Sequence, residues 1–151
     1  MKKILTFAVT LLLVVAVTPC SARAIFDDDR PIEYKELPEA AKQFIDKHFS
    51  KDKVTSVILD EDLMSKEYKV IFESGAKVEF KGDGTWEDVK CRYDAVPRAL
   101  VPDKIADYVK KHYPEAKITE INREHGEWEV KISGGLELTF NKAYKLIDID
   151  D

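Results

Sequence analysis

The sequence predicts an α+β fold: a tandem repeat of a helix followed by about four antiparallel strands, with the helices packed on one face of the sheet or sheets. Three observations predict it. Segment 37–49 returns in similar form as segment 101–113, both segments have the spacing of an amphipathic helix, and both precede strand-like alternation of apolar and polar residues. Such a duplication determines architecture better than activity, because one fold hosts many functions.

The two helices are predicted from the spacing of their apolar residues. A recurrence at i, i+3, i+4, i+7 and i+8 is typical of a helix with one buried stripe. The residues in this pattern are Ala41, Phe44, Ile45, His48 and Phe49 in the first segment and Ile105, Tyr108, Val109, His112 and Tyr113 in the second. We expect each helix to open with a proline, Pro38 or Pro102, at a position where a missing backbone N–H costs nothing.

The strands are predicted from strict alternation of apolar and polar residues. The alternating apolar residues are Tyr68, Val70, Phe72, Ala76, Val78 and Phe80 in the first repeat and Trp128, Val130, Ile132, Leu136, Leu138 and Phe140 in the second. Glycines at Gly75 and at Gly134-Gly135 predict the hairpin turns. Alternation gives each sheet an apolar and a polar face, so we expect the helices to cover one face and leave the other open.

The order of segments along the chain follows from these patterns. We expect a signal peptide at 1–24, a flexible acidic lead-in at 25–36, a first repeat at 37–92, a linker at 93–100 and a second repeat at 101–151. The linker is short and contains Pro97. The two repeats are therefore expected to share a continuous sheet or an interface.

Residues 1–24 have the features of an export signal. Lys2 and Lys3 precede an apolar run, and Ala22-Arg23-Ala24 supplies the small residues that a signal peptidase needs. We expect cleavage near Ala24 and a periplasmic or secreted product without a membrane span. Cys20 lies in a segment similar to a lipoprotein box, but Pro19 occupies a position where that box requires a small residue. A lipid anchor at Cys20 is therefore the weaker alternative.

The charge of the chain argues against nucleic acid as a partner. The sequence holds 29 acidic and 24 basic residues, with a net charge of −5. Loss of the predicted signal removes basic residues only, which makes the exported chain more acidic. Binding to phosphate backbones requires clustered Lys and Arg, and here these residues alternate with acids. Only Cys91 remains after export, so no internal disulfide is expected.

The chain resembles the PepSY-like, beta-lactamase-inhibitor-like proteins of bacterial periplasms over about residues 32–149. The residues that carry the resemblance, with their counterparts in the second repeat, are Leu37, Pro38, Phe44, Ile45, Phe49, Tyr68, Val70, Gly75, Phe80, Gly82 and Trp86. The resemblance implies tandem helix-on-sheet units, export, and a binding or inhibitory role without catalysis. It transfers no functional site, because these are mostly core and turn positions.

Residues that could support catalysis are few, and the sequence predicts a protein that is not an enzyme. His48 and His112 occupy equivalent positions in the last helical turn, where a partial positive charge suits the negative helix end. Cys91 falls in a strand pattern without a recognisable orienting group or oxyanion element. An enzyme of unrecognised type remains a distant alternative, with no catalytic residue assigned.

Acidic clusters supply the signal for a cofactor, since Ca²⁺ prefers carboxylate oxygens. The candidate ligands are Asp60, Asp62, Asp83, Glu87 and Asp88. None of them follows a complete calcium-loop pattern, and Gly82-Asp83-Gly84 is also an ordinary turn. A calcium-responsive protein is therefore kept as an alternative, beside the expectation of no cofactor.

The open sheet face is the predicted binding surface. Its tentative contact residues are Lys69, Glu79, Lys131 and Glu137, although cross-strand charge pairs of this kind also occur without any partner. We expect an exported, non-catalytic binding module that recognises an unidentified periplasmic protein or peptide through this face and its loops, with inhibition as one form of that role.

Overall fold

The computed structural model describes residues 29–151, so the predicted signal peptide and Cys20 lie outside the described part. The elements are β1 (Arg30–Pro31), α1 (Glu39–His48), β2 (Val54–Glu61), β3 (Lys66–Phe72), β4 (Lys77–Lys81), β5 (Trp86–Lys90), α2 (Asp103–His112), β6 (Ile118–Asn122), β7 (Trp128–Ile132), β8 (Glu137–Phe140) and β9 (Leu146–Asp150). Short 3-10 helices at Tyr34–Glu36 and Arg98–Leu100 precede α1 and α2. The fold is α+β, as predicted.

The nine strands form one antiparallel sheet in which every strand pairs with the next strand along the chain. The two helix-containing parts meet at β5 and β6, where Val89 lies opposite Ile121. Arg123 stabilises this junction through two contacts with Trp86. Its Nε donates to the carbonyl oxygen of Trp86 at 2.9 Å, and its guanidinium lies 4.0 Å from the centroid of the Trp86 ring. Arg30 and Pro31, within the predicted lead-in, form β1 at the edge of the sheet beside β2, and the N–H of Ile32 donates to the carbonyl oxygen of Val57.

One face of this sheet is apolar from β2 to β8. Successive strands place directly paired residues in a single row, and the members of that row are Val57, Val70, Val78, Val89, Ile121, Val130 and Leu138. Every residue of the row is at least 96% buried. A row that continues across the junction makes one core rather than two.

Both helices pack on this apolar face. The ring of Phe44 in α1 meets Phe80 edge-on with centroids 5.4 Å apart, and the ring of Tyr108 in α2 meets Phe140 in the same way at 5.4 Å. Such edge-to-face pairs contribute about 0.5–1.5 kcal/mol beyond area burial. Phe80 and Phe140 are fully buried and lie on the same side of their strands as the apolar row. The opposite side of the sheet carries neither helix.

The turn between β4 and β5 brings the sheet against the start of α1. Gly84 has a φ of +84°, and a Cβ there would lie 2.8 Å from the Cβ of Pro38 and 3.0 Å from the backbone nitrogen of Ala41. Glycine is therefore required at this position both by conformation and by space. The corresponding turn between β8 and β9 has Tyr144 at a φ of 62°. No helix in the described part of the chain is long and apolar enough to cross a membrane.

Candidate binding surface on the open sheet face

The sheet face opposite the two helices, here called the open face, carries mostly polar side chains. They belong to residues that alternate with the buried apolar row. Its central members are Lys69, Ile71, Lys77, Glu79, Asp88, Lys90, Glu120, Asn122, Glu129, Lys131, Glu137 and Thr139. Because period-2 alternation fixes which side chains share a face, the strand pattern predicted from sequence is sufficient to place these residues together.

The four predicted contact residues all lie on the open face, in two cross-strand pairs. Lys69 is opposite Glu79, and Lys131 is opposite Glu137. Lys131 Nζ lies 3.2 Å from Glu137 Oε2, whereas the carboxylate of Glu79 pairs with Lys77 at 2.8 Å. Exposed pairs of this kind contribute little to stability. The two pairs are separated by the central strands β5 and β6, so they form no single cluster.

Asp88, in the central strand β5, is the unusual residue of the open face. It is only 6% exposed, and its Oδ1 accepts no hydrogen bond from any group within residues 29–151. The two lysines that flank it are occupied elsewhere, since Lys77 pairs with Glu79 at 2.8 Å and Lys90 pairs with Glu120 at 2.7 Å. A buried carboxylate without a partner is costly in free energy.

The environment of Asp88 opposes its ionisation. Burial is the main cause, the nearby charges of Glu120 and Glu79 act in the same direction, and together they raise the pKa of Asp88 to about 7 despite Lys77 and Lys90. Its usual pKa is about 3.9. Asp88 therefore titrates close to neutral pH, and a cation placed beside it would favour the charged form.

A second group of carboxylates lies toward the β2 edge of the same face. Glu67 is directly opposite Asp60, so two acids face each other across β2 and β3. The pKa of Glu67 is raised, first by burial and then by the charges of Glu87, Asp60, Glu79 and Glu124. Lys81 offsets part of this charge, since its Nζ lies 2.7 Å from Glu87. This part of the open face is thus a region of negative potential.

The predicted calcium ligands are distributed along the chain rather than gathered. Asp60 lies on β2 and Asp88 on β5, which are three strands apart, or about 14 Å at the usual spacing. Among residues 29–151 no group of three or more His, Cys, Asp or Glu side chains is placed to hold a metal ion. Calcium binding stays a prediction.

Of the other three predicted ligands, Glu87 pairs with Lys81 at 2.7 Å, and Asp62 and Asp83 are occupied in turns. Asp62 Oδ1 accepts hydrogen bonds from the N–H groups of Met64 and Ser65, both at 2.6 Å. Asp83 accepts from the N–H of Thr85 at 2.8 Å. These hydrogen bonds stabilise the ionised forms, which lowers the pKa of both carboxyl groups. Both residues act as turn acceptors, the role that short acidic side chains commonly have in loops.

The histidines and the cysteine have structural surroundings. His48 lies over Phe44 with ring centroids 4.8 Å apart, and His112 stacks on Tyr108 at 4.3 Å. Burial, with Lys47, lowers the pKa of His48. Burial raises the pKa of the Cys91 thiol to about 11, with Asp94 and Asp52 acting in the same direction. Because a thiolate is the nucleophilic form, this environment suppresses the reactivity of Cys91.

Comparison with known proteins identifies a family that this chain resembles. The model of a family provisionally described as beta-lactamase-inhibitor-like, PepSY-like matches residues 66–148. No curated protein matches the chain.

Solved structures from Bacteroides are similar over most of the chain. A periplasmic protein of Bacteroides vulgatus ATCC 8482 from the DUF2874 family, provisionally so described, is 44% identical, covers 82% of this chain and 98% of its own, and superposes with a TM-score of 0.78. A Bacteroides thetaiotaomicron protein with the provisional name of calcium-regulated periplasmic protein is also 44% identical with the same coverage, and its TM-score is 0.80. A second Bacteroides vulgatus protein, provisionally described as periplasmic, is 30% identical, covers 82% of this chain and 99% of its own, and has a TM-score of 0.78.

Proposed function

Because the chain belongs to the PepSY-like, beta-lactamase-inhibitor-like family, we propose that it is an exported, non-catalytic binding module that recognises a protein or peptide through the open face. The periplasm is the proposed location, in line with the description of the related Bacteroides proteins. Inhibition of an enzyme is one form that such binding can take.

One observation carries the proposal: the open face buries a carboxyl group, Asp88, whose Oδ1 has no hydrogen-bond partner within residues 29–151. A side chain whose buried atoms were all packed or paired would be more stabilising there. Buried polar groups that cost stability without a structural return are typical of binding sites. Neither α1 nor α2 lies on this side of the sheet, which leaves room for a partner.

The partner that fits this face carries a basic anchor. Glu79 and Glu120 flank Asp88 and act against its ionisation, and the acids around Glu67 extend the negative region toward β2. A Lys or Arg side chain placed between these groups would satisfy Asp88 Oδ1 and relieve the repulsion among the carboxylates. Arg is a common anchor residue of protein interfaces.

A duplicated unit would account for a broad surface of this kind. We propose that the two halves arose by duplication, and the matching order of elements and the matching ring contacts of Phe44 with Phe80 and Tyr108 with Phe140 support this. Joining two four-stranded units side by side doubles the width of the uncovered face. A non-catalytic role is supported by the unreactive surroundings of Cys91.

The proposal is tested by recovery of partners from a periplasmic extract with the purified protein as bait. Glu79→Lys should reduce recovery of the specific partner about tenfold, because it places a like charge against the basic anchor. Lys69→Glu, on the neighbouring strand, is the matched control and should leave recovery unchanged or increase it. Equal recovery with both variants would move the binding site away from the open face.

Calcium responsiveness is the second candidate function. The acids around Glu67 favour a cation, and a 44% identical relative is provisionally named as calcium-regulated. A ligand that binds only the folded state raises the melting temperature by mass action. A rise with added calcium that a chelator reverses, and that Asp60→Asn abolishes, would support this function. An unchanged melting temperature would remove it.

A further inference from the structure

A cavity of about 680 Å³ lies on the side of the first helix, away from the open face. The C-terminal end of α1, the turn between β3 and β4, and the segment that follows β5 enclose it. Its volume is within the range of about 300–1,000 Å³ that is usual for small-molecule sites. We call it the α1 cavity.

The floor and the rim of the α1 cavity differ in character. Phe49, Ala76 and Cys91 are buried and line the cavity with apolar groups. Three cationic side chains also border it: Lys47, Lys51 and Arg92. All three belong to exposed residues, so their charged ends are available at the opening. An apolar floor beneath several cations is suited to a ligand that has both an apolar body and a negative charge.

The two acids in the lining, Asp52 and Asp94, accept hydrogen bonds from the protein itself. Asp52 accepts hydrogen bonds from both the hydroxyl and the N–H of Ser74, the latter at 3.3 Å. Asp94 accepts from the N–H of Ala95 at 2.8 Å. By contrast, Lys47, Lys51 and Arg92 form no ion pair within residues 29–151. These three cations therefore offer free hydrogen-bond donors to an anion at the opening.

The position of the charges also sets the orientation of a ligand. Asp94 and Asp52 are close enough to Cys91 to raise its pKa, so their negative field reaches the floor. An anionic group would be repelled there and attracted at the rim, where Arg92 lies with its guanidinium 5.6 Å from the centroid of the exposed Tyr93 ring. The apolar body of the ligand would then contact Phe49 and the ring of Tyr93.

We propose that the α1 cavity binds a small amphipathic anion, an aryl or alkyl carboxylate, sulfonate or phosphate, with its charge at Lys51 and Arg92 and its apolar part on the floor. This site is independent of the open face and of the function proposed above. The thiol of Cys91 takes part only as an apolar surface, since its raised pKa keeps it protonated.

The test uses anilinonaphthalene sulfonate, an aromatic anion whose fluorescence increases in apolar surroundings, titrated into the purified protein. Saturable binding at one site is expected. The double variant Lys51→Glu with Arg92→Glu should weaken binding about tenfold or more, because two charge-assisted contacts are replaced by repulsion. Ala95→Trp, which places a large ring at the opening, should weaken it as well.

Lys111→Glu is the control for charge reversal away from the cavity. Lys111 occupies in α2 the position that Lys47 has in α1, but only Lys47 borders the α1 cavity. The control variant should leave binding unchanged. All substituted residues are exposed, and melting curves check that each variant is folded. If the double reversal lowers the melting temperature, Lys51→Gln with Arg92→Gln replaces it, with the same expected direction.

Two results would overturn the proposal. One is absence of binding to the wild type, or binding that none of the cavity variants changes. The other is equal affinity for phenylnaphthylamine, the uncharged analogue, together with no effect of the charge reversals on either probe, which would mean that the cavity holds apolar groups without regard to charge.

Discussion

The two faces of the sheet differ most clearly at adjacent residues of β5. Val89 points to the helices, is fully buried and belongs to the apolar row that crosses the whole core. Asp88, one residue earlier, points to the open face, is nearly as buried, and has no partner for Oδ1 within residues 29–151. Burial stabilises the fold on one face and costs free energy on the other. The difference supports the proposal that the helix-covered face serves folding and the open face serves binding.

The largest effect is expected on the helix-covered face. Phe80→Ala should lower the free energy of unfolding by about 3–5 kcal/mol, because removal of a fully buried ring leaves a cavity. Phe44→Ala should cost less, since Phe44 is only partly buried against the core. Chemical denaturation measures both. A loss below about 1 kcal/mol for Phe80→Ala would contradict the packing of α1 on this face.

Phe140→Ala is the matched variant in the second half. Phe140 is also fully buried and receives the edge contact of Tyr108. A similar loss of stability is expected. Because the apolar row is continuous through β5 and β6, either substitution should unfold the whole described part in one transition. Two separate transitions would show that the halves are independent and would break the account of a shared core.

The second effect, on the open face, depends on pH. Asp88 has a pKa of about 7 in the folded protein and about 3.9 when unfolded. The folded state thus binds the proton more tightly. This contribution to stability is complete below about pH 4, declines as the pH rises, and is lost above about pH 7, at a cost of at most about 4 kcal/mol.

Asp88→Asn should remove this decline. At about pH 8 the variant should be more stable than the wild type by about 1–3 kcal/mol, because a neutral amide replaces a buried charge. Asp83→Asn is the control, because the pH dependence at this residue has the opposite sign. The pKa of Asp83 is lowered in the folded protein, so its contribution to the free energy of unfolding is lost as the pH falls. Denaturation at a series of pH values separates the two. The effect of Asp88 is the difference in free energy of unfolding between the wild type and Asp88→Asn. If this difference shifted in favour of the wild type between about pH 4 and about pH 7, the burial of Asp88 without a partner for Oδ1 would be contradicted.

The smallest effect on stability is expected from the exposed charge pairs of the open face. Lys131→Glu disrupts the pair with Glu137 and should change the free energy of unfolding by less than about 1 kcal/mol. Thermal denaturation at low and at high salt measures the change. A loss comparable with that of Phe80→Ala would mean that the open face supports the fold, and the distinction between the faces would fail.

The sequence was sufficient to predict the strands from β2 onward, the two helices and the faces of the sheet, because these follow from local periodicity. It did not predict β1, whose residues Arg30 and Pro31 lie in the expected lead-in. Tyr68, Val70 and Phe72 alternate with polar residues, and the structure buries all three. The pairing of β5 with β6 could be expected only in general terms from the short linker. Its register, with Val89 opposite Ile121, is a long-range feature that no local pattern specifies.

The candidate site was less accessible to sequence reasoning. Asp88 was predicted only as a calcium ligand, on the basis of its neighbours Asp83 and Glu87 along the chain. Its surroundings are set by pairing with β4 and β6, which place Glu79 and Glu120 near it, while Lys77 and Lys90 pair with those glutamates. The α1 cavity was missed for a similar reason, since it combines α1, a turn and the segment after β5.

The central claim, that the open face is the binding surface, is tested most directly by site-specific photo-crosslinking in living cells. A photoreactive residue is introduced in turn at Lys69 and Glu129 on the open face, and at Asp46 and Asp107 on the exposed sides of α1 and α2. We predict discrete crosslinked products from the two open-face positions and none from the helix positions. Products from Asp46 or Asp107 with none from Lys69 or Glu129 would contradict the account.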